Sequence, residues 1–194
     1  RPPSRPWPKL PKHAKASLTG QRSFRLSEPR ISRHIRHMKR DPIDRTGLRP
    51  DFWRRFPLEE LPRNEWEALC DGCGKCCLIK LEDEETGIVH YTSIACRLLD
   101  LGTCRCGNYP LRRQLVPGCV VIDRDTIESV LDWMPRTCAY RLIHEGRDLE
   151  PWHPLISGDP DSVHRAGISL IGRMTAEYDV DEDEWQDFVI EGQN

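Results

Sequence analysis

From Pro50 onward, apolar residues recur in short groups separated by charged and turn-forming residues, with no long uninterrupted period. In FPLEELPRNEWEALC, the spacing of Trp66 and Leu69 predicts a short helix facing a core, with Asn64 as its N-cap. IVHYTSIACRLLDL predicts a short strand around Val89–Tyr91, then a turn or helix carrying Cys96. DRDTIESVLDWMP predicts a helix capped by Asp123 or Asp125 and stopped by Pro135. RTCAYRLIHEG predicts another, with Thr137 as N-cap and Gly146 at its end. WHPLISGDP has the turn residues of a loop, AGISLIGRM reads as a strand, and DEDEWQDFVI as a terminal helix with acids in its first turn. LEDEETG and DVDEDEWQD read as solvated acidic faces. Short helices, short strands, long loops and no internal repeat predict a small, irregular α+β domain over residues 51–194.

Residues 1–50 show a different pattern. RPPSRPWPKLPK holds five prolines in twelve residues and predicts an extended, polyproline-like segment. RISRHIRHMKR spaces Ile31, Ile35 and Met38 as one weakly amphipathic turn or two, too little to fold alone. This arm carries 14 Lys/Arg against Glu28, Asp41 and Asp44, whereas residues 51–194 carry 15 Lys/Arg against 28 acids. The net charge of −2 therefore hides a basic arm joined to an acidic body. Such asymmetry predicts an anionic partner. Arg1, Arg5, Lys9, Lys12, Lys15, Arg22, Arg25, Arg30, Arg33, Arg36, Lys39 and Arg40 are the candidate nucleic-acid contacts, interleaved with Trp7, Phe24 and histidines. Extended basic arms on small bodies are a habit of ribosomal proteins, so rRNA and neighbouring ribosomal proteins are the expected partners. A free tail or the remains of a targeting segment is the alternative. The chain opens on Arg1, and an Arg-rich, acid-poor beginning is the character of mitochondrial presequences. A mitochondrial location is expected on that ground, with the bacterial cytoplasm as the alternative.

Composition limits the core: 38% of residues are hydrophobic and 31% charged. A core of that size gains much from cross-links. No run of about 18 apolar residues suggests a membrane-crossing helix. All nine cysteines fall between Cys70 and Cys138. An odd count, the adjacent pair Cys76–Cys77 and the absence of a secretory signal weigh against a disulfide framework and favour metal ligation. The order is Cys70-x2-Cys73-x2-Cys76-Cys77, then Cys96, Cys104-x-Cys106, Cys119 and Cys138. Two-residue gaps let successive thiolates converge on one metal, and Gly72 and Gly74 suit the tight turn between them. Ferredoxin-like iron–sulfur sites begin in the same way. Zinc takes four ligands per structural site, so nine cysteines would supply two sites with one left over.

Several stretches resemble the CxxCxxCC cysteine-cluster proteins, a family described as zinc- or iron-chelating: CDGCGKCCLIKLEDEETG, ACRLLDLGTCRCGNYPLRR, VPGCV and WMPRTCAYRLIHEGRDLEPWHPLISGDPDSVHRAGIS. The resemblance runs from about Phe52 to Ile190 and is greatest to the bacterial branch with the WHPLxSGD tail. It implies that Cys70, Cys73, Cys76, Cys77, Cys96, Cys104, Cys106, Cys119 and Cys138 are all candidate ligands. The basic arm is a departure from the compact bacterial type. An iron–sulfur cluster is the expected cofactor, with zinc as the alternative.

Other residues offer chemistry. His153, Asp159, Asp161 and His164 read either as an acid/base pair or extra metal site, or as a loop whose side chains cap backbone. Tyr109, Arg112, Arg113, Tyr140 and Arg141 lie near cysteines in sequence and read as tuning donors or as surface packing. No GxSxG, phosphate-binding glycine loop or HExxH is present. The functional reading is a non-catalytic structural subunit of a large ribonucleoprotein, a mitochondrial ribosome foremost. The alternatives are a freestanding metal-dependent enzyme or redox protein, and a metal carrier.

Overall fold

A computed structural model of the chain describes residues 8–10, 43–190 and 192. Within these the fold is α+β, organised on one five-stranded sheet whose centre is the hairpin of β2 (Leu78–Asp83) and β3 (Val89–Ala95). The two strands pair antiparallel, with Lys80 opposite Tyr91 and Leu81 opposite His90, and the register shifts between Leu78 and Lys80. Their connection is a tight turn. The Asp83 carboxylate accepts from the Thr86 N–H at 2.7 Å, the Thr86 hydroxyl at 2.8 Å and the Glu85 N–H at 3.0 Å. Gly87 closes the turn at φ +68°. The acidic run LEDEETG is thus half strand and half turn. Strand β2 is absent from the sequence expectation because a lysine interrupts its apolar alternation and acids end it.

Strand β3 extends beyond the three residues expected and shows why. Its side chains alternate between two apolar groups, as a sheet buried on both faces requires. Val89, Tyr91 and Ala95 join the larger core with Phe52, Leu69, Trp133 and Met134, whereas Ile94 joins Leu81, Val180 and Trp185. Strand β1 (Lys9–Leu10) runs parallel along β2, and Lys9 pairs with Glu82 at 2.8 Å. On the other edge of β3 sit β6 (Thr175–Ala176), parallel, and β7 (Val189–Ile190), antiparallel. A separate two-stranded ladder joins β4 (Leu99–Asp100) to β5 (Arg105–Cys106).

The helices are short, with limits that differ from the sequence expectation for local reasons. After α1 (Phe52–Arg55), helix α2 (Arg63–Ala68) has Pro62 at its N-cap, so Asn64 lies inside it. Proline's fixed φ suits the helix entry without a side-chain cap. Helix α3 (Arg112–Leu115) is one turn long. The Asp123 carboxylate makes a turn with the N–H groups of Asp125 and Thr126, each at 3.0 Å, and α4 begins only at Ile127 (Ile127–Val130). It tightens into a 3-10 turn, Leu131–Trp133, ahead of Pro135. Helix α5 (Ala139–His144) takes Cys138 at its cap, not Thr137, and closes near Gly146 in the left-handed region, φ +70°.

The tail departs further. WHPLISGDP contains helix α6 (Pro154–Ser157), followed by α7 (Ser162–Arg165). AGISLIGRM is turn, and the strand comes later, at β6. The acidic terminal segment is a 3-10 helix, Glu182–Phe188, because its last residues are pulled out to pair with β3 as β7.

The residues just before Pro50 pack on the body. Ile43 and Leu48 lie against the larger core. The Arg49 guanidinium grips the buried Glu65 carboxylate, Nη2 to Oε2 at 2.6 Å and Nε to Oε1 at 2.9 Å, which holds that carboxyl below its usual range. Arg45 donates to the carbonyls of Ala68 at 3.3 Å and Cys70 at 2.6 Å. Of the twelve candidate nucleic-acid contacts only Lys9 is described; Arg1, Arg5, Lys12, Lys15, Arg22, Arg25, Arg30, Arg33, Arg36, Lys39 and Arg40 lie outside the described residues.

Candidate metal centre

The CDGCGKCC stretch follows directly on α2 and runs into β2. The Asp71 carboxylate accepts from the Cys73 N–H at 2.9 Å, which turns the chain after Cys70. Gly72 and Gly74 have φ of +79° and +76°, so the expected glycine turn is present. At Gly72 a side chain would also meet the Arg105 guanidinium, 2.3 Å from a Cβ. A one-turn 3-10 helix, Lys75–Cys77, then presents Cys76 and Cys77 side by side, their sulfurs 3.9 Å apart.

The other cysteines arrive from separate elements. Cys96 leaves β3 with its N–H on the Cys77 carbonyl at 2.8 Å. Cys106 lies in β5 opposite Leu99, Cys119 follows α3, and Cys138 caps α5. All nine thiols are unbridged. Eight of them, Cys70, Cys73, Cys76, Cys77, Cys96, Cys106, Cys119 and Cys138, line one cavity of about 240 Å³. Cys104 does not. It is buried in the left-handed region at φ +55°, its Sγ 3.5 Å from where a Gly74 Cβ would stand. Among the described residues no three His, Cys, Asp or Glu side chains close on a common ion position; the thiols ring a space.

That space is electrostatically uneven. Burial pushes the Cys70 and Cys104 thiols up to about 11 and the Cys73 and Cys138 thiols well above the ordinary value, with the Asp71 carboxylate adding to the effect at each. Burial also raises Cys96 and Cys119. The Cys76–Cys77 hydrogen bond splits that pair: Cys76 is lowered and Cys77 raised. Charge at Cys76 reaches Cys70, Cys73, Cys77, Cys119 and Cys138, so the thiols act on one another as one connected set.

Cationic groups surround the cavity. Arg105 Nη1 lies 3.9 Å from Cys70 Sγ. Lys80 has no exposed surface, and burial lowers its ammonium to about 8 while the neighbouring thiolates act the other way. Arg112, also on the cavity wall, lies 3.7 Å from the Tyr109 ring centre and donates to the Tyr109 carbonyl at 2.6 Å. Of the expected tuning residues, Tyr109, Arg112 and Tyr140 line the cavity; Arg113 and Arg141 do not. Arg141 instead donates to the Met134 carbonyl at 2.6 Å and to Glu145 at 2.7 Å. Asp71, Lys80 and Arg105 are absent from the sequence expectation. For Asp71 and Arg105 the signal is their place between cysteines, and for Lys80 there is none, since a lysine beside an acidic run reads as solvated.

His153, Asp159, Asp161 and His164 are absent from the cavity wall. His153 is buried, its Nε2 donating to the Leu69 carbonyl at 3.0 Å and its Nδ1 accepting the Leu155 N–H at 3.1 Å. Both ring nitrogens are therefore committed to backbone. Asp159 accepts from the Asp161 N–H at 2.9 Å and pairs with Arg165, while His164 Nδ1 meets the Ser169 hydroxyl at 2.7 Å. His153 thus braces the tail against Leu69, the residue before the first cysteine.

The donor set suits a thiophilic metal. Sulfur dominates, the remaining wall is largely apolar, and among the described residues no carboxylate cage of the kind hard cations need is assembled. Among the described residues no helix is long and apolar enough to cross a membrane. Comparison with known proteins agrees with this chemistry. The family pattern CxxCxxCC, described as "Putative zinc- or iron-chelating domain", matches residues 69–139. The chain is 57% identical to a UPF0260 protein of Rhodobacter capsulatus over 146 residues, 75% of this chain and 97% of that protein. It is 55% identical to one of Pseudomonas entomophila and 56% to one of Azotobacter vinelandii, each over 139 residues, 72% of this chain and 93% of the relative. No solved structure gives a significant match. These relatives are from bacteria, which fits the bacterial alternative better than a mitochondrial location. The arrangement of cysteines, the matched pattern and the relatives' near-complete coverage place the chain in the CxxCxxCC family of metal-chelating cysteine-cluster proteins, among its UPF0260 members.

Proposed function

We propose that the cysteines hold an iron–sulfur centre which cross-links this small body, and that its role is structural. The supporting observation is the cavity of about 240 Å³ ringed by eight thiols. Protein interiors are close-packed, and even a void of about 150 Å³ can admit benzene. A single zinc draws its four sulfurs to about 2.3 Å and leaves little space between them. Room of this size among thiols suits a polynuclear cluster better. An iron–sulfur cluster takes four thiolates, so its ligands would be drawn from Cys70, Cys73, Cys76, Cys77, Cys96, Cys106, Cys119 and Cys138, with zinc as the competing occupant. When bound, such a centre supplies positive charge to ligands that burial otherwise keeps protonated. The protein's own contribution is the glycine turn, the surrounding cations and the brace on Leu69. Anaerobic purification followed by metal and sulfide analysis tests this: iron and acid-labile sulfide in a coloured protein are expected. A colourless protein with stoichiometric zinc and no iron would overturn the iron–sulfur reading and leave metal ligation standing.

For residues 1–50 we propose contact with an anionic partner, RNA foremost, in a large particle. Their charge alone supports it, 14 Lys/Arg against three acids. Sedimentation of lysate at moderate and high salt, with a variant lacking residues 1–42 alongside, checks it. Co-migration with ribonucleoprotein particles that high salt or the deletion abolishes is the expected result, and migration as a small free protein throughout refutes it.

A further inference from the structure

Lys80 is a buried cation beside the thiols. It is fully enclosed, and its ammonium donates to the carbonyls of Leu78 at 2.9 Å, Cys76 at 3.0 Å and Lys75 at 3.3 Å. Two of these carbonyls belong to the 3-10 turn that presents Cys76 and Cys77. The ammonium also lies 4.8 Å from the Trp133 ring centre and 4.9 Å from that of Tyr91, and Lys80 is among the residues that line the cavity. The register fixes this position: Lys80 stands opposite Tyr91 in the central hairpin, just after the β2 irregularity that follows the cysteines.

A lysine confined in this way is costly. Burying an ammonium is unfavourable unless charge or strong dipoles compensate it, and a neutral side chain would satisfy packing at lower cost. Three carbonyls and two ring faces supply dipoles. Opposite charge would come from Cys76 and Cys77 once they ligate a metal as thiolates, since the turn whose carbonyls hold the ammonium is the one that presents them. Clustered thiolates need the same help, since several negative sulfurs round one metal site leave excess negative charge in a medium of low dielectric.

We propose that Lys80 is a positioning residue of the metal centre, fixing the Lys75–Cys77 turn through its carbonyls at Lys75 and Cys76 and placing a buried positive charge behind the Cys76–Cys77 thiolates. This inference rests on the proposed metal centre. Lys80 touches no metal in this role; it acts through the two cysteines.

The test compares full-length wild type with Lys80→Gln and Lys80→Arg. Glutamine keeps hydrogen-bond donors and loses the charge, whereas arginine keeps both. Each protein is prepared anaerobically, then metal per chain and the EDTA concentration that removes half of the metal are measured. Lys80→Arg is expected within about threefold of wild type, and Lys80→Gln at least tenfold easier to strip or unable to load. Where iron is present, the glutamine variant also shows a more negative midpoint potential. Equal retention by Lys80→Gln and wild type overturns the proposal, because the charge is then unnecessary. Loss in Lys80→Arg as severe as in Lys80→Gln overturns it too, because lysine's shape alone is then what matters. Wild type that binds no metal is a different failure, that of the metal centre itself.

Discussion

Cys73→Ser yields a protein that binds little or no metal and fails to fold stably, whereas Cys104→Ala keeps its metal and most of its stability. The contrast follows from where the structure puts two thiols that the motif treats alike. Cys73 faces the cavity from the middle of the glycine turn, next to Cys76 and Cys138 in electrostatic reach. Serine oxygen is a poor ligand for a thiophilic metal, and one lost ligand opens the whole site. Structural metal binding is worth about 10–16 kcal/mol in small metal-dependent folds, comparable with the entire stability of an ordinary domain, about 5–15 kcal/mol. Loss of metal here therefore removes the fold and not only the colour. Cys104 packs against Gly74 and does not itself line the cavity, so alanine there costs a buried sulfur's packing, on the order of 1 kcal/mol. Metal per chain together with the far-ultraviolet circular dichroism of each variant decides the matter. Metal-loaded, folded Cys73→Ser, or metal loss in Cys104→Ala, would contradict the assignment.

The second large effect is at His153. Its two ring nitrogens satisfy the Leu69 carbonyl and the Leu155 N–H inside the protein, which requires the neutral ring protonated on Nε2. Alanine leaves both backbone groups unpaired, at about 1–3 kcal/mol each, and adds a void. We expect His153→Ala to lower stability by about 3–4 kcal/mol at pH 7.5 in denaturant titrations of the metal-loaded protein. The pH dependence has a definite sign. Burial lowers the His153 pKa below its ordinary value, so the unfolded chain binds the extra proton more readily than the folded one. The stabilisation is complete above the unfolded value of about 6.5 and is lost as pH falls below it. The difference between wild type and His153→Ala should therefore shrink from pH 7.5 to 5.5. His164, lowered by burial as well, keeps some acid sensitivity in the variant. A difference that grows on acidification would mean that the ring is charged in the folded protein.

Cys73 and Cys104 illustrate how differently parts of the centre could be read in advance. The ligand types and their crowding were legible in one dimension, because two-residue gaps with intervening glycines have a short-range reason: one tight turn brings sulfurs together. The positive φ at Gly72 and Gly74 follows from that same local geometry. The exclusion of Cys104 was not legible. Cys104 and Cys106 are two residues apart, yet only Cys106 reaches the cavity wall, because Cys104 precedes β5 in the left-handed region at φ +55° and the strand's alternation does not extend to it.

The sequence by itself determined the α+β class, the abundance of short elements, the division into a basic arm and an acidic body, and a thiol-rich site that points to metal. These depend on composition and on contacts a few residues apart. Tertiary structure decided the rest. Pairing with β3 turned the end of an apparent acidic helix into β7, and a lysine beside a charged run became a fully enclosed cation. A histidine for which the sequence left both acid/base chemistry and a capping role open became a brace on a residue 84 positions away. In each case the deciding partner is distant in the chain, and burial reverses what local polarity implies: a charged or titratable side chain that reads as solvated is instead held by backbone dipoles and by charges drawn from other elements.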